Sequence, residues 1–596
     1  MLRALYEYAV AHDLTLPDGY VKKTVAAYLC FSSRSEEYVE LWLGDERPIP
    51  CPDIGSLANG TEKSNVIVEK RSVVIPDMEN AKSRFFRQAL EQLGETDPDA
   101  RLCAERLTNP EILCAIRKKL DAKKIKASQR ISFMVDDRKL HDSPHLLAWW
   151  QTFRQEILPP KSGELVPCLI TGEPTHAVTT VLPISGLHSV GGHARGDALI
   201  CFDKPAFCSY GLKQAANAPV SESAMSAVKA ALDALLAGAP VLAGMKFVHW
   251  YDREVAAEED PLLDENMFAL SIDMEEEYDR EEEQEEVNAV SAADRLIRSV
   301  KGGTSPLPLD ANYYILLLSG VGGRVMIRRY ERGRYEELQE KLTQWNQDLA
   351  LVNAVGSGLC KPLKLTGRLI RLMKYQKSDK KIFDRLSKEL AGITPAVLAA
   401  ILHGGRLPDA VALRALAYLR SKLLAAESVD QENRKTEDNL DGWACQWLKV
   451  WLIRHREGGD TMLKETYNMD HGEPAYHCGG LMAVYAAIQR TAMPNVNASV
   501  AQRYYASCIQ TPALVLGRLS QLSVHHLEKI RYPSVAESYR ELLETVNSAI
   551  GNQVPTTLDL EKQSYFALGY YQMSARIRKE TQERIQAAKK NAQEGE

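Results

Sequence analysis

The chain has 596 residues, 45% apolar and 26% charged, with eleven cysteines and a net charge of −6. These are the proportions of a globular protein with room for about three or four domains. No stretch approaches the ~18 consecutive apolar residues of a membrane span, and Glu7 and Asp13 fall where a signal peptide needs an apolar core, so a cytoplasmic protein without membrane contact is expected.

The cysteines are scattered without a CxxC or CxxH pair, which favours inert thiols over zinc ligands; no metal or other cofactor is expected. Charge is distributed unevenly. Between Glu254 and Glu286 sixteen Asp/Glu stand against one Arg, a net of −15 that leaves the rest of the chain at +9. Such a segment, poor in aromatics, predicts a flexible linker or insertion over 254–300 beside mildly basic folded parts. The alternative is a nucleic-acid mimic that shields a basic groove.

In chain order, residues 1–150 read as an α+β domain. A helix over Leu2–Ala11 precedes candidate strands Ala26–Phe31 and Tyr38–Leu43. The polar loop Asn59–Asn65 leads into Val66–Val68 and then Lys70 and Arg71. Behind Asn80, the string AKSRFFRQAL sets Lys82, Arg84 and Arg87 around Phe85 and Phe86 on a helix. The next helix ends in Arg117–Lys126, seven of ten positions charged and six of those basic. A solvated helix face accounts for such a run; phosphate contact by Lys and Arg as point charges is the functional alternative.

Residues 151–253 read as a glycine-loop α+β module. A short strand, Val166–Ile170, is followed by a loop with Gly186, Gly191, Gly192 and Gly196 that carries His188, His193 and Arg195. A second strand is predicted over Asp197–Phe202, then a polar run with Lys213 and Asn217, a helix opened by Pro219 and Ser221, and a strand at Met245–Trp250. Glycines in such a loop let backbone N–H groups approach a phosphate, while Arg, Lys and Asn add charge and base-edge hydrogen bonds. The bland reading is a turn whose polar side chains face water, with an Asx turn at Asn217 and a helix cap at Ser221.

Residues 301–430 read as a β-hairpin plus a helical region. Strands Tyr313–Ser319 and Arg324–Tyr330 flank a turn at Gly320–Gly323, with Val325 and Ile327 toward a core and Arg324, Met326 and Arg328 on a cationic face. No helix and no Lys-Ser/Thr follow the glycines, which excludes a P-loop. Helices are predicted at 333–352, 380–403 and 409–426. Residues 431–596 read as a helical bundle with helices at 441–456, 479–491, 498–510, 513–530, 534–550 and 560–592. Arg490, Arg503, Arg518, Lys529 and Arg531 recur along it as a basic stripe or as ordinary surface. The fold class is therefore α+β, an N-terminal mixed region followed by helices.

No histidine pair has HExxH spacing, and GxSxG and a Walker lysine are absent. Three strings in order carry a resemblance: CLITGE, GDALICFDKPAFCSYG and QAANAPVSE between Cys168 and Glu222; ANYYILLLSGVGGRVMIRRY at Ala311–Tyr330; and QSYFALGYYQ at Gln563–Gln572. Together they resemble the large-subunit family of the subtype I-C CRISPR interference complex, Cascade. The resemblance implies a non-enzymatic subunit that binds the crRNA 5′ end, recognises a protospacer-adjacent motif on double-stranded DNA, stabilises the displaced non-target strand and the R-loop, and recruits a helicase-nuclease. The implied partners are crRNA, double-stranded target DNA, the other backbone and small subunits, and that helicase-nuclease. It also implies a small subunit made from an internal start. Met462, Met469 and Met482 are the candidates, Met482 retaining the last four helices.

The candidate residues for crRNA and duplex are Lys70, Arg71, Asn80, Lys82, Arg84, His188, His193, Arg195, Lys213, Asn217, Arg324 and Arg328. Those for the displaced strand are Arg490, Arg503, Arg518, Lys529 and Arg531. Two other readings are a metal-dependent DNA nuclease of the defence system, built on His193 and Asp197, and a scaffold whose basic residues serve only protein contacts.

Overall fold

A computed structural model describes the chain apart from residues 36–38, 45–46, 159–164, 203, 209–211, 213, 257–258, 264–310, 377–378, 426–439, 456–458, 495–497 and 595–596. Most of the acidic segment, with Lys213, lies outside the described residues. The architecture is α+β. One unit comprises residues 1–186, 193–237 and 322–325, the other 187–192, 238–321 and 326–596.

The first unit opens with α1 (Leu2–Ala11), β1 (Tyr20–Lys23), β2 (Ala27–Phe31), β3 (Val39–Leu43), β4 (Ile49–Pro52) and β5 (Glu69–Lys70). After α2 (Arg71–Val74) come α3 (Ala81–Gly94), α4 (Pro98–Thr108) and α5 (Pro110–Ala122), then β6 (Arg130–Val135), β7 (Arg138–Lys139) and α6 (Leu146–Ile157). Strands run in the order β3-β2-β6-β5, with β7 also on β6. β2 and β6 are parallel, Ala27 opposite Ile131 through Phe31 opposite Val135, and all of β2 is buried, as befits a strand covered on both faces. Phe86, Ala89, Leu90 and Leu93 recur at helical spacing and give α3 its buried face. Asp97 and Asn109 cap α4 and α5, each followed by a proline whose missing N–H costs nothing there.

The rest of this unit departs from expectation. Among the described residues β8 (Val166–Pro167) pairs only with β9 (Pro174–Thr175), and the strand predicted to Ile170 is two residues long. Asp197–Phe202 forms no strand: only Asp197 bridges to Ile184 and Ala198 to Arg324. A strand needs a backbone ladder beside it, and among the described residues bridge partners occur here at two positions alone. The helix α7 (Glu222–Ala237) begins where expected, the Ser221 hydroxyl accepting from the Ala224 N–H at 3.2 Å, and Arg154 of α6 pairs with Glu222.

The second unit carries an antiparallel sheet ordered β10 (Val241–Leu242), β11 (Met245–Tyr251), β12 (Asn312–Val321) and β13 (Arg324–Arg334). Gly322 and Gly323 both have positive φ, the requirement of a two-residue type I′ turn, so β12 runs two residues beyond its predicted end. Val325 is buried as expected, but Ile327 is 45% exposed, because β13 is the outer strand. Tyr251 faces Tyr313 across the ladder, and the Asn312 N–H donates to Asp252 at 2.8 Å. Both ends of the acidic excursion are thus held on neighbouring strands of one sheet. Asp260, at its start, accepts from Tyr251 at 2.6 Å and lies 2.7 Å from His249.

Helices complete this unit: α8 (Tyr335–Leu349), α9 (Leu365–Ile370), α10 (Ile382–Leu390), α11 (Thr394–His403), α12 (Asp409–Ala425), α13 (Gly442–His455), α14 (Pro474–Ala492), α15 (Val500–Cys508), α16 (Pro512–Glu528), α17 (Pro533–Ile550) and α18 (Leu560–Glu594). α9 is too short to show a period, and the single helix predicted at 380–403 is two, broken around Gly392. α14 is buried on every side from Ala475 to Gln489, which makes it the central helix of this part. It meets α18 at two glycines: a Cβ on Gly479 would lie 2.0 Å from the Phe566 carbonyl oxygen, and one on Gly569 2.0 Å from that of Tyr476. Met462 and Met469 precede α14, whereas Met482 is fully buried within it. A product starting at Met482 would lack Gly479.

Against this crossing lies a buried polar network. The His477 Nε2 lies 2.6 Å from the His471 carbonyl oxygen, which only accepts, so Nε2 carries a proton, and Nδ1, 2.8 Å from the Tyr467 hydroxyl, is the acceptor in the neutral ring that burial favours. Burial, the largest influence on His477, lowers its pKa accordingly. Burial alone would raise Asp460, but hydrogen bonds from His471 and Tyr565 outweigh it and pull the carboxyl down to about 2. A folded-state value below the ordinary ~3.9 of an unfolded aspartate stabilises the fold above that pH. The stabilisation is lost as pH falls toward about 2. Melting temperatures measured from pH 5 to pH 2 are therefore expected to fall less steeply for Asp460→Asn than for the native chain. Parallel curves would refute this account of Asp460.

Candidate nucleic-acid interface

A group of exposed cations without side-chain partners among the described residues lies in the first unit, where β5 meets β6. Lys70 ends β5 directly opposite Arg130, the first residue of β6. The Arg71 N–H donates to the Gln129 carbonyl at 2.8 Å and the Ser72 N–H to that of Ala127 at 3.1 Å, which fixes the 126–130 turn against α2. Arg71 itself points inward, donating to the Ile125 carbonyl at 2.7 Å and to Asp121 at 2.6 Å. It braces the turn and engages Asp121, while the carboxylate of Glu69, beside Lys70, accepts from the Asn65 and Lys70 N–H groups. Lys124 takes a left-handed conformation (φ 56°) at the end of α5, which carries the chain from helix into this turn.

Lys70, Lys123, Lys124, Lys126 and Arg130 are left exposed, with no side-chain partner among the described residues. Like charges directly opposite on paired strands repel. A row of phosphates would relieve that repulsion and release counterions from the partner. Sequence alone points to Lys70 and to the run ending at Lys126, but not to Arg130. Its signal was a charged residue immediately before the apolar strand ISFMV, sixty positions from Lys70 in the chain.

Other candidates in this unit serve the fold. Asn80 caps α3 in a reciprocal box with Ser83, and Lys82 donates to the Ala58 carbonyl at 2.7 Å. Arg84 is exposed without a side-chain partner among the described residues. The Asn217 amide donates to the Gln214 carbonyl at 3.1 Å.

The glycine loop is built for packing. A Cβ on Gly191 would lie 2.5 Å from the Gly320 carbonyl oxygen, and one on Gly320 2.2 Å from the Gly192 Cα. Backbone therefore lies on backbone. The N–H groups of Gly192 and Gly196 are engaged by the carbonyls of Leu187 and His193 at 2.9 and 3.0 Å, so neither is free for a phosphate. His188 sits exposed in the short 3-10 turn before Gly191. Farther along, the His193 N–H donates to the buried carboxylate of Asp197 at 3.1 and 3.2 Å. That carboxylate organises a turn rather than facing a substrate. The Ala198 N–H donates to the Gly323 carbonyl and the Val325 N–H to that of Ala198. The His193 ring is thereby set 3.6 Å from where a Cβ on Gly323 would lie, and the side chains of His193, Arg195 and Arg324 are exposed. Arg328, also exposed, donates to Ser319 at 2.8 Å in the second unit.

In the helical part, Arg490 is half-buried in the last turn of α14, while Arg503, Arg518, Lys529 and Arg531 are exposed on α15, on α16 and after it. Arg518 lies 5.9 Å from the Tyr504 ring and Arg531 5.6 Å from that of Tyr532. Among the described residues no three His, Cys, Asp or Glu side chains converge to hold a metal ion, and no helix is long and apolar enough to cross a membrane.

Comparison with curated proteins finds no match. The family model described as CRISPR-associated protein (Cas_Csd1) matches residues 46–577, a span that includes both the Lys70–Arg130 patch and the helical part with its glycine crossing. The chain belongs to the Cas_Csd1 family of CRISPR-associated proteins.

Proposed function

We propose that this chain is the non-catalytic large subunit of a type I-C Cascade surveillance complex, working in the cytoplasm. It binds the crRNA 5′ end, recognises the protospacer-adjacent motif on double-stranded DNA, holds the displaced strand, and recruits the helicase-nuclease that cuts. Its partners are crRNA, target duplex and the other backbone and small subunits. Membership of a CRISPR-associated family supports the setting. The observation that carries the chemistry is the exposed cationic patch around Lys70 and Arg130, whose side chains have no partner among the described residues, a feature of polyanion binding rather than of bond cleavage.

The test is reconstitution of the guide-loaded complex with and without this chain, read by gel shift on target duplexes carrying or lacking the adjacent motif. Motif-dependent binding is expected only when the chain is present. Equal binding without it would sink the proposal. Cleavage of DNA by the purified chain with Mg²⁺ or Mn²⁺, lost on His193→Ala or Asp197→Asn, would instead establish the nuclease reading.

A further inference from the structure

The connection between α16 and α17 spans only Lys529 to Tyr532, yet it presents an aromatic ring to solvent. Ile530 is buried and anchors the connection from below. The N–H groups of Val535 and Ala536 donate to the Tyr532 carbonyl at 3.0 and 3.2 Å, and Pro533 fixes the next φ. The backbone under Tyr532 is therefore rigid, while its side chain is among the most exposed large rings described, at 60%. The Arg531 guanidinium lies 5.6 Å from the ring centroid, and Lys529 is exposed three positions earlier.

The other arginine–tyrosine pair in this region makes the contrast. Tyr504, beneath Arg518, is partly buried and packs against the hydrophobic core, so its ring is occupied. Tyr532 belongs to no core cluster. Between residues 500 and 540 the chain carries five Lys/Arg against two Asp/Glu, so the surroundings attract an anion. An exposed ring on a fixed backbone with cations on its N-terminal side has the two parts by which proteins hold single strands, a stacking face and charges for the adjoining phosphates.

We infer that Tyr532 is a stacking platform for an unpaired base of single-stranded DNA, with Arg531 and Lys529 contacting the flanking phosphates. This rests on the reading of the chain as a nucleic-acid-binding subunit and assigns it a residue that no charge pattern picks out.

The experiment uses the full-length chain and two fluorescent strands of equal length, oligo(dT) and an abasic backbone, with binding read by anisotropy across a salt series. Tyr532→Leu is expected to weaken oligo(dT) binding about 5- to 100-fold, the range for loss of one stacked base. It should leave abasic binding and the log–log salt slope unchanged. Tyr532→Phe should bind as the native chain does. Arg531→Gln should lower the slope by about 0.7 on both strands. If Tyr532→Leu binds oligo(dT) as tightly as the native chain, or weakens both strands equally, the platform is overturned while the broader reading stands. Failure of the native chain to bind either strand would overturn both.

Discussion

Replacing Lys70, Lys126 and Arg130 together by glutamine is expected to lower the slope of log affinity against log salt for duplex DNA by about 2.7 in the guide-loaded complex. Each phosphate contact contributes roughly 0.9 to that slope on B-form DNA. All three side chains are exposed and bonded to nothing else in the described fold, so their removal should not lower the melting temperature. Relief of the Lys70–Arg130 repulsion raises stability if anything and leaves the salt slope untouched. The control is an equal charge change elsewhere: Lys374, Lys380 and Lys388, exposed in the second unit, replaced by glutamine. An unchanged slope in the first variant, or the same fall in both, would remove the patch from the interface. The single change Arg71→Gln should behave differently, because its guanidinium holds the Ile125 carbonyl and Asp121. It should lower stability and weaken binding only through the turn it braces.

The second large effect concerns the fold. Gly479→Ala or Gly569→Ala places a methyl carbon 2.0 Å from a main-chain carbonyl oxygen of the facing helix, well inside contact distance. The obstacle is backbone and cannot rotate away, so α14 and α18 must separate along their crossing. Overpacking of this kind costs about 1–3 kcal/mol and sometimes more, and the central position of α14 puts these substitutions at the upper end. Gly517→Ala is the counter-example. It lies inside α16 with nothing within 4 Å of the new methyl, and should stabilise by up to ~1 kcal/mol through helix propensity. Urea denaturation of the full chain distinguishes the three; a Gly479→Ala variant with an unshifted midpoint would show that the helices do not meet as described.

Much of this fold was legible from residue patterns. Where local chemistry is strong it decides the element: α1, β2, β3, α7, β11 and β12 all lie within two or three residues of expectation, and β13 starts where expected but runs four residues past its predicted end. The bundle helices α15, α16 and α17 also lie within two or three residues of expectation. Each carries a clear period, a cap or a turn pair such as Gly322–Gly323. The failures share a physical cause. The predicted strand at Asp197–Phe202 had the right alternation, but alternation only makes a segment able to pair, and bridge partners were available at two positions. Ile327 had a core-facing pattern on a strand that turned out to be the outermost of its sheet.

The same division holds for the site. Composition and charge counting separated a basic body from an acidic segment, and the ordered strings indicated the family. What sequence could not decide is which cations act together, because Lys70 and Arg130 are neighbours only through a strand register. Nor could it separate a bracing arginine, Arg71, from the bare lysine beside it. It also could not tell glycines that admit a phosphate from glycines that admit another stretch of backbone, since both demand a missing side chain. Only the packing of Gly191 and Gly192 on Gly320 distinguishes them.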